Sequence, residues 1–159
     1  MNYEIYCGPR RCVRALEPGE MPRKIGEYCR RTGQEPPRTP GEVTRTILES
    51  LALRYRQVLE SLEDLLNRRF EQIHIVGGGS RNAVLNQFVA DCTARAVFTG
   101  PSEATAAGNI LVQALGSGAI ASLQEARQIV RQSLPVDTVT PSPRADWDHA
   151  YERFRALRV

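Results

Sequence analysis

The residues best suited to chemistry lie in one run, Ile73-His74-Ile75-Val76-Gly77-Gly78-Gly79-Ser80-Arg81-Asn82, with Asn86 just beyond it. A short β-branched stretch stopped by three glycines reads as a strand with an abrupt end. Glycine there permits φ > 0 and leaves bare backbone against a neighbour. A helix that starts near Arg81 turns its free N–H groups toward the same space. In a parallel α/β sheet, ligands sit in that space, beyond the carboxyl ends of the strands. A flat, partly polar molecule can therefore lie on Gly77, Gly78 and Gly79. Asn82 and Asn86 are four apart and share one face of the helix. Each amide offers a donor and an acceptor, which suits a heterocycle edge or a ribose hydroxyl. The same residues also admit a purely structural reading, in which the glycines make a tight turn and the asparagines solvate a helix. Neither G-x-G-x-x-G nor the P-loop G-x-x-x-x-G-K-[ST] occurs in the chain.

A second run, Pro101-Ser102-Glu103-Ala104-Thr105-Ala106-Ala107-Gly108-Asn109, carries small residues at Ala104, Ala107 and Gly108. Gly108 inside a helix costs about 1 kcal/mol against alanine, so close packing against another element is expected to offset it. Glu103 in the first turn complements the helix dipole. This helix reads as scaffold. His74, between apolar residues, reads as a packed or edge histidine and not a base, and Cys92 as a core residue. Cys7, Cys12, Cys29 and Cys92 form no C-x-x-C pair, and His74 and His149 lie far from them. No metal-ligand spacing is present, and no catalytic residue is assigned.

The elements that must hold this run are legible from periodicity. A short helix is expected to open at Pro22 and stop at Gly33, and Gln34 to Gly41 is a loop. The strongest helix spans Pro40 to Leu66, with Val43, Ile47, Leu51, Tyr55, Val58 and Leu62 among its apolar positions at helical spacing. Thr39 and Glu42 form a capping box at its start. A strand follows over Phe70 to Val76. Ser80 is expected to cap a helix from Arg81 to Thr93. A second strand covers Arg95 to Phe98, and Ser102 is expected to cap a helix from Glu103 to about Leu115. Ser122 and Glu125 begin another helix, Leu123 to Gln132. Pro135 to Pro143 reads as a linker, and a last amphipathic helix carries Trp147, Ala150, Tyr151, Phe154 and Leu157. Residues 1–20 read as irregular, with one edge strand at Tyr3 to Cys7. The alternation of helices and strands predicts an α/β fold, with parallel strands joined by crossover helices. Residues 21–159 are expected to form one unit.

Ile75-Val76-Gly77-Gly78-Gly79-Ser80-Arg81-Asn82, then Leu85-Asn86-Gln87 and Ala90-Asp91, resembles the adenosine-binding motif of the FGGY carbohydrate kinases. Gly100-Pro101-Ser102-Glu103-Ala104-Thr105 with Gly108-Asn109 resembles the helix that follows it in that family. Pro18-Gly19-Glu20-Met21-Pro22 and Ser50-Leu51-Ala52-Leu53 resemble the branch that acts on L-rhamnulose. The likeness covers about residues 16–157. It implies part of an actin-like ATPase (ribonuclease H-like) domain, with a small, largely parallel sheet and flanking helices. The implied reaction of the intact enzyme is phosphoryl transfer from ATP, with Mg2+, to the 1-hydroxyl of L-rhamnulose. A xylulose or fuculose substrate stays open, as does a non-catalytic nucleotide-binding or interaction module. By the same resemblance Gly77, Gly78 and Gly79 line the adenine or ribose, and Asn82 hydrogen-bonds the adenine.

The family's sugar pocket, its aspartate base and its phosphate loops precede the part matched here. The expectation is that these 159 residues alone do not phosphorylate sugar, that the sugar is met only through an N-terminal domain, and that a sheet edge is left open.

Composition agrees with a globular domain. The chain is 42% hydrophobic and 25% charged, with a formal net charge of +3 from 21 basic and 18 acidic side chains. The arginines are scattered as solvated faces and do not make a nucleic-acid footprint. No apolar run approaches the roughly 18 residues needed to span a bilayer, so no membrane partner is expected. Cysteine usage requires no disulfide, which suits a cytoplasmic location.

Overall fold

The computed structural model describes residues 19–142 and 146–157. The expected irregular segment and the edge strand at Tyr3 to Cys7 lie outside the described residues, apart from Gly19 and Glu20.

Helix α1 (Met21–Arg31) begins with proline in its first turn, ends on Arg30 and Arg31, and is followed by Gly33 at φ 73°. Helix α2 (Pro40–Leu66) has the expected bounds, and its capping box is formed. The Thr39 hydroxyl accepts the Glu42 N–H at 3.2 Å, and the Glu42 carboxylate accepts the Thr39 N–H at 3.1 Å. Two donors that the helix start leaves without partners are thereby satisfied. Strand β1 (Gln72–Ile75), a 3-10 turn (Gly77–Arg81), α3 (Ala83–Thr93), β2 (Ala96–Thr99), α4 (Ala104–Gly116), α5 (Leu123–Ser133), β3 (Asp137–Val139) and α6 (Trp147–Ala156) follow.

The described strands form one sheet in the order β1-β2-β3. β1 and β2 are parallel, with Ile73 opposite Val97 and Ile75 opposite Thr99. β3 pairs antiparallel to β2, with Val139 opposite Val97, so the sheet is mixed. β3 falls inside the stretch expected to be a linker. Three residues carry too little periodicity to announce a strand, and pairing with β2 is what makes it one.

The alternation of β1 and β2 sends Ile73, Ile75, Val97 and Thr99 to one face. There they meet Leu53 of α2, Val89 and Cys92 of α3, and Ala150, Tyr151 and Phe154 of α6. Leu53 and Phe154 are fully buried, and each such side chain contributes about 1.5–3 kcal/mol through burial. The other face carries His74 stacked on Phe98, with ring centroids 5.1 Å apart. His74 is thus an exposed stacking residue.

The apolar period of α2 is only partly covered: Ala52 and Leu53 are buried, while Leu51, Tyr55, Val58, Leu62, Leu65 and Leu66 are exposed, Leu65 to 79%. The close packing expected at Gly108 is not found among the described residues. A Cβ on Gly108 would meet nothing within 4 Å, and α4 buries no residue, leaving Ile110 and Val112 exposed. On its other side β1 has no partner among the described residues. Among the described residues the expected open sheet edge is present.

Candidate functional site

The glycine run lies at the carboxyl ends of the two parallel strands. Val76 is still extended, and Gly77 then turns the chain at φ 74°. A left-handed residue costs about 1–2 kcal/mol for a side chain with Cβ, so Gly77 is the glycine this turn requires. Two backbone bonds tie the strand ends together. The Gly77 N–H donates to the Pro101 carbonyl at 3.0 Å, and the Gly100 N–H donates to the Ile75 carbonyl at 2.9 Å. Gly100 is itself constrained, with φ 111° and a would-be Cβ only 2.6 Å from the Pro135 carbonyl oxygen.

Gly78 and Gly79 differ from Gly77. Neither has a positive φ; a Cβ on Gly78 would meet nothing, and one on Gly79 would make ordinary contact with Ile75. The fold does not require glycine at either position. Their effect is to leave an uncovered strip of backbone facing outward.

Asn82, not Ser80, caps the following helix. The Asn82 Oδ1 accepts the Leu85 N–H at 3.0 Å, while the Ser80 hydroxyl donates to the Gly77 carbonyl at 2.7 Å inside the 3-10 turn. The expected helix from Arg81 is thus divided, and α3 begins at Ala83. Asn82 remains exposed, and its Nδ2 donates to nothing among the described residues. The structure separates the two asparagines. Asn86 is 2% exposed, and its Nδ2 donates to the Ser80 carbonyl at 2.8 Å. It faces into the fold and is not free for a ligand.

Ser102 does not cap α4 either. Its hydroxyl accepts from Arg81 at 3.2 Å, and Arg81 pairs with Glu103 at 3.0 Å. This latch joins the turn after β1 to the loop after β2. Both partners are mostly exposed, so it contributes at most about 1 kcal/mol.

Gly77, Gly78, Gly79 and Asn82 therefore come together on one outward surface. It offers bare peptide backbone, one free amide donor and the start of a helix. A flat heterocycle can stack on the backbone while the amide donates to a ring nitrogen. Sequence reasoning missed the Arg81 latch and the inward role of Asn86.

Two other concavities flank the domain. An apolar groove of about 720 Å³ runs along the outer face of the sheet beside α4 and α5, past His74, Phe98, Val112, Leu115 and Val130. A cleft of about 640 Å³ near the end of α3 is charged, but its charges answer one another. Arg56 pairs with Asp148 at 2.7 Å and Glu60 at 2.9 Å, and its guanidinium lies 4.3 Å from the centre of the Tyr151 ring. Burial pushes the Cys92 thiol beside it up to about 12, so Cys92 is an inert core thiol. Among the described residues, no cluster of three His, Cys, Asp or Glu is placed to hold a metal, and no helix is long and apolar enough to cross a membrane.

Residues 8–117 match the family model described as the C-terminal domain of the FGGY family of carbohydrate kinases. The chain is 49% identical over 138 residues to a rhamnulokinase of Bacteroides thetaiotaomicron, a match covering 87% of this chain and 28% of that protein. It is 44% identical over 128 residues to the Bacillus subtilis rhamnulokinase, covering 80% of the chain and 26% of the relative. Among solved structures, the xylulose kinase of Rhodospirillum rubrum aligns with a TM-score of 0.58 at 27% identity, over 79% of this chain and 26% of that one. The chain thus spans little more than a quarter of the proteins it matches.

Proposed function

The chain belongs to the FGGY family of carbohydrate kinases, with the actin-like ATPase fold of that family, and we propose that it forms the adenosine-facing C-terminal portion of a kinase for L-rhamnulose. One observation carries this reading. β1 ends on a glycine turn whose Gly78 backbone lies uncovered beside the outward amide of Asn82. Gly77, Gly78 and Gly79 line the adenine or ribose, and the Asn82 Nδ2 donates to an acceptor nitrogen of the adenine ring. ATP supplies the transferable phosphoryl group, and Mg2+ neutralises charge on its phosphates. No residue of this chain is assigned to either task. The base, the phosphate loops and the sugar pocket belong to the rest of the intact enzyme, in the cytoplasm.

The exposed apolar face of α2, the bare side of α4 and the open edge of β1 fit a domain built to be covered. Exposed apolar surface of this extent marks an interaction face. The preference for L-rhamnulose over xylulose or fuculose follows the names of the relatives, since none of the residues assigned here meets sugar.

The reading is tested by grafting. The matching segment of the Bacteroides thetaiotaomicron rhamnulokinase is replaced by this chain, and ADP formation is followed with L-rhamnulose, xylulose and fuculose. The expected result is sugar-dependent ADP formation with L-rhamnulose preferred. A folded chimera that binds ADP yet phosphorylates none of the three sugars contradicts it.

A further inference from the structure

Asn86 occupies a place where the surrounding helix face is apolar. Leu85, Val89 and Cys92 of α3 all pack in the core. An asparagine buried to 2% exposure is costly there unless its amide is satisfied. Only half of it is. The Nδ2 donates to the Ser80 carbonyl at 2.8 Å, while the Oδ1 is buried with no partner. The amide cannot be turned over, because a carbonyl oxygen accepts and does not donate, so two acceptors would then face each other. The fold retains an orphaned acceptor in order to place one donor on Ser80.

Ser80 is part of the 3-10 turn, and Asn86 reaches it from the first turns of α3. Asn82 lies between them. Its carbonyl accepts the Asn86 N–H at 3.0 Å, and its own N–H donates to the Gly79 carbonyl at 3.1 Å. The side chain of Asn86 thus closes a ring around Ser80, Arg81 and Asn82. We propose that Asn86 is a positioning residue: its amide holds the Ser80 carbonyl and so fixes the turn in the shape that presents Gly78 and Asn82 to a nucleotide. The ligand part of this proposal rests on the function proposed above; the turn-holding part stands on the geometry alone.

The test uses the full chain with Asn86→Leu, which keeps the branched outline of the side chain and removes both the donor and the orphaned acceptor. Asn86→Ser is the second variant should the first not fold. Val89→Ala, a core change on the same helix away from the turn, is the control. Amide hydrogen exchange is read at Gly77 and Asn82 for the turn and at Leu53 for the core, and ADP binding is titrated by NMR. In the Asn86 variants the Gly77 and Asn82 amides are expected to lose protection about tenfold more than Leu53, and half-saturation by ADP to rise about tenfold, the scale of one lost buried hydrogen bond. Val89→Ala is expected to lower protection throughout and leave ADP binding unchanged. Equal loss at the turn and at Leu53 in the Asn86 variants overturns the proposal, and so does unchanged ADP binding in them. If the wild-type chain shows no ADP shifts while the turn amides behave as expected, the positioning role stands and the nucleotide reading fails.

Discussion

The Oδ1 of Asn82 accepts the Leu85 N–H at 3.0 Å, so one atom of this side chain caps α3 and leaves the other end of the amide to face outward. The two roles can be separated by substitution. Asn82→Asp keeps the capping oxygen and removes the Nδ2 donor, so stability should be preserved while ADP binding weakens several-fold. Asn82→Ala loses both and should also cost about 1 kcal/mol of stability. Thermal unfolding paired with an ADP titration checks both variants. Equal ADP affinity in Asn82→Asp and wild type would show that the amide donates nothing to the nucleotide.

Gly100 carries a constraint that Gly78 lacks. Its φ of 111° and the 2.6 Å approach to the Pro135 carbonyl leave no room for a Cβ. Gly100→Ala should destabilise the domain by about 3 kcal/mol, through backbone strain and displacement of the segment that leads into β3. Urea unfolding measures the loss, and faster exchange of β3 amides locates it.

A half-buried carboxylate and a buried thiol set opposite pH limits. The Glu63 carboxylate accepts the Phe70 N–H at 2.8 Å and lies 3.2 Å from Arg95, and the Phe70 bond foremost holds it below the ordinary 4.5. The folded state binds that proton more weakly than the unfolded chain. Its contribution is therefore complete above 4.5 and is lost as pH falls through the depressed value. Cys92 behaves in reverse. Burial raises it from 9.0 to about 12, so its contribution is complete below 9.0 and is lost as pH rises toward 12. Tyr151, raised first by burial and then by its bond to Glu60, acts in the same alkaline direction. Urea midpoints measured across pH should show Glu63→Gln flattening the acid limb and Cys92→Ala flattening the alkaline one. An acid limb unchanged in Glu63→Gln would remove Glu63 from the account.

Much of this was legible because it is local. Thr39, Pro40 and Glu42 define a helix start by type and spacing alone, and the helix they open runs to Leu66 as expected. The stripe Ala150, Tyr151 and Phe154 is buried as its period implied. What was not legible depends on partners distant in sequence. β3 exists through its pairing with β2. Ser80, Asn82 and Ser102 are all competent caps, and the choice among them falls to the turn at Gly77 and to Arg81, which engages Ser102. Helical spacing put Asn82 and Asn86 on one face. It could not show that Ser80 would draw Asn86 inward and leave only Asn82 facing out. The apolar period of α2 was read correctly as a period, but a period does not say what covers it.

The central claim, that the glycine turn receives the adenosine of a nucleotide, is tested most directly by titrating ADP into the chain and following its amide resonances. The account predicts shifts centred on Gly77 to Asn82 and the first turn of α3, weakened by Gly78→Ala. That change meets open space in the fold and leaves stability intact, yet covers the bare backbone. No shifts at millimolar ADP, or shifts centred away from the turn and indifferent to Gly78→Ala, would contradict it.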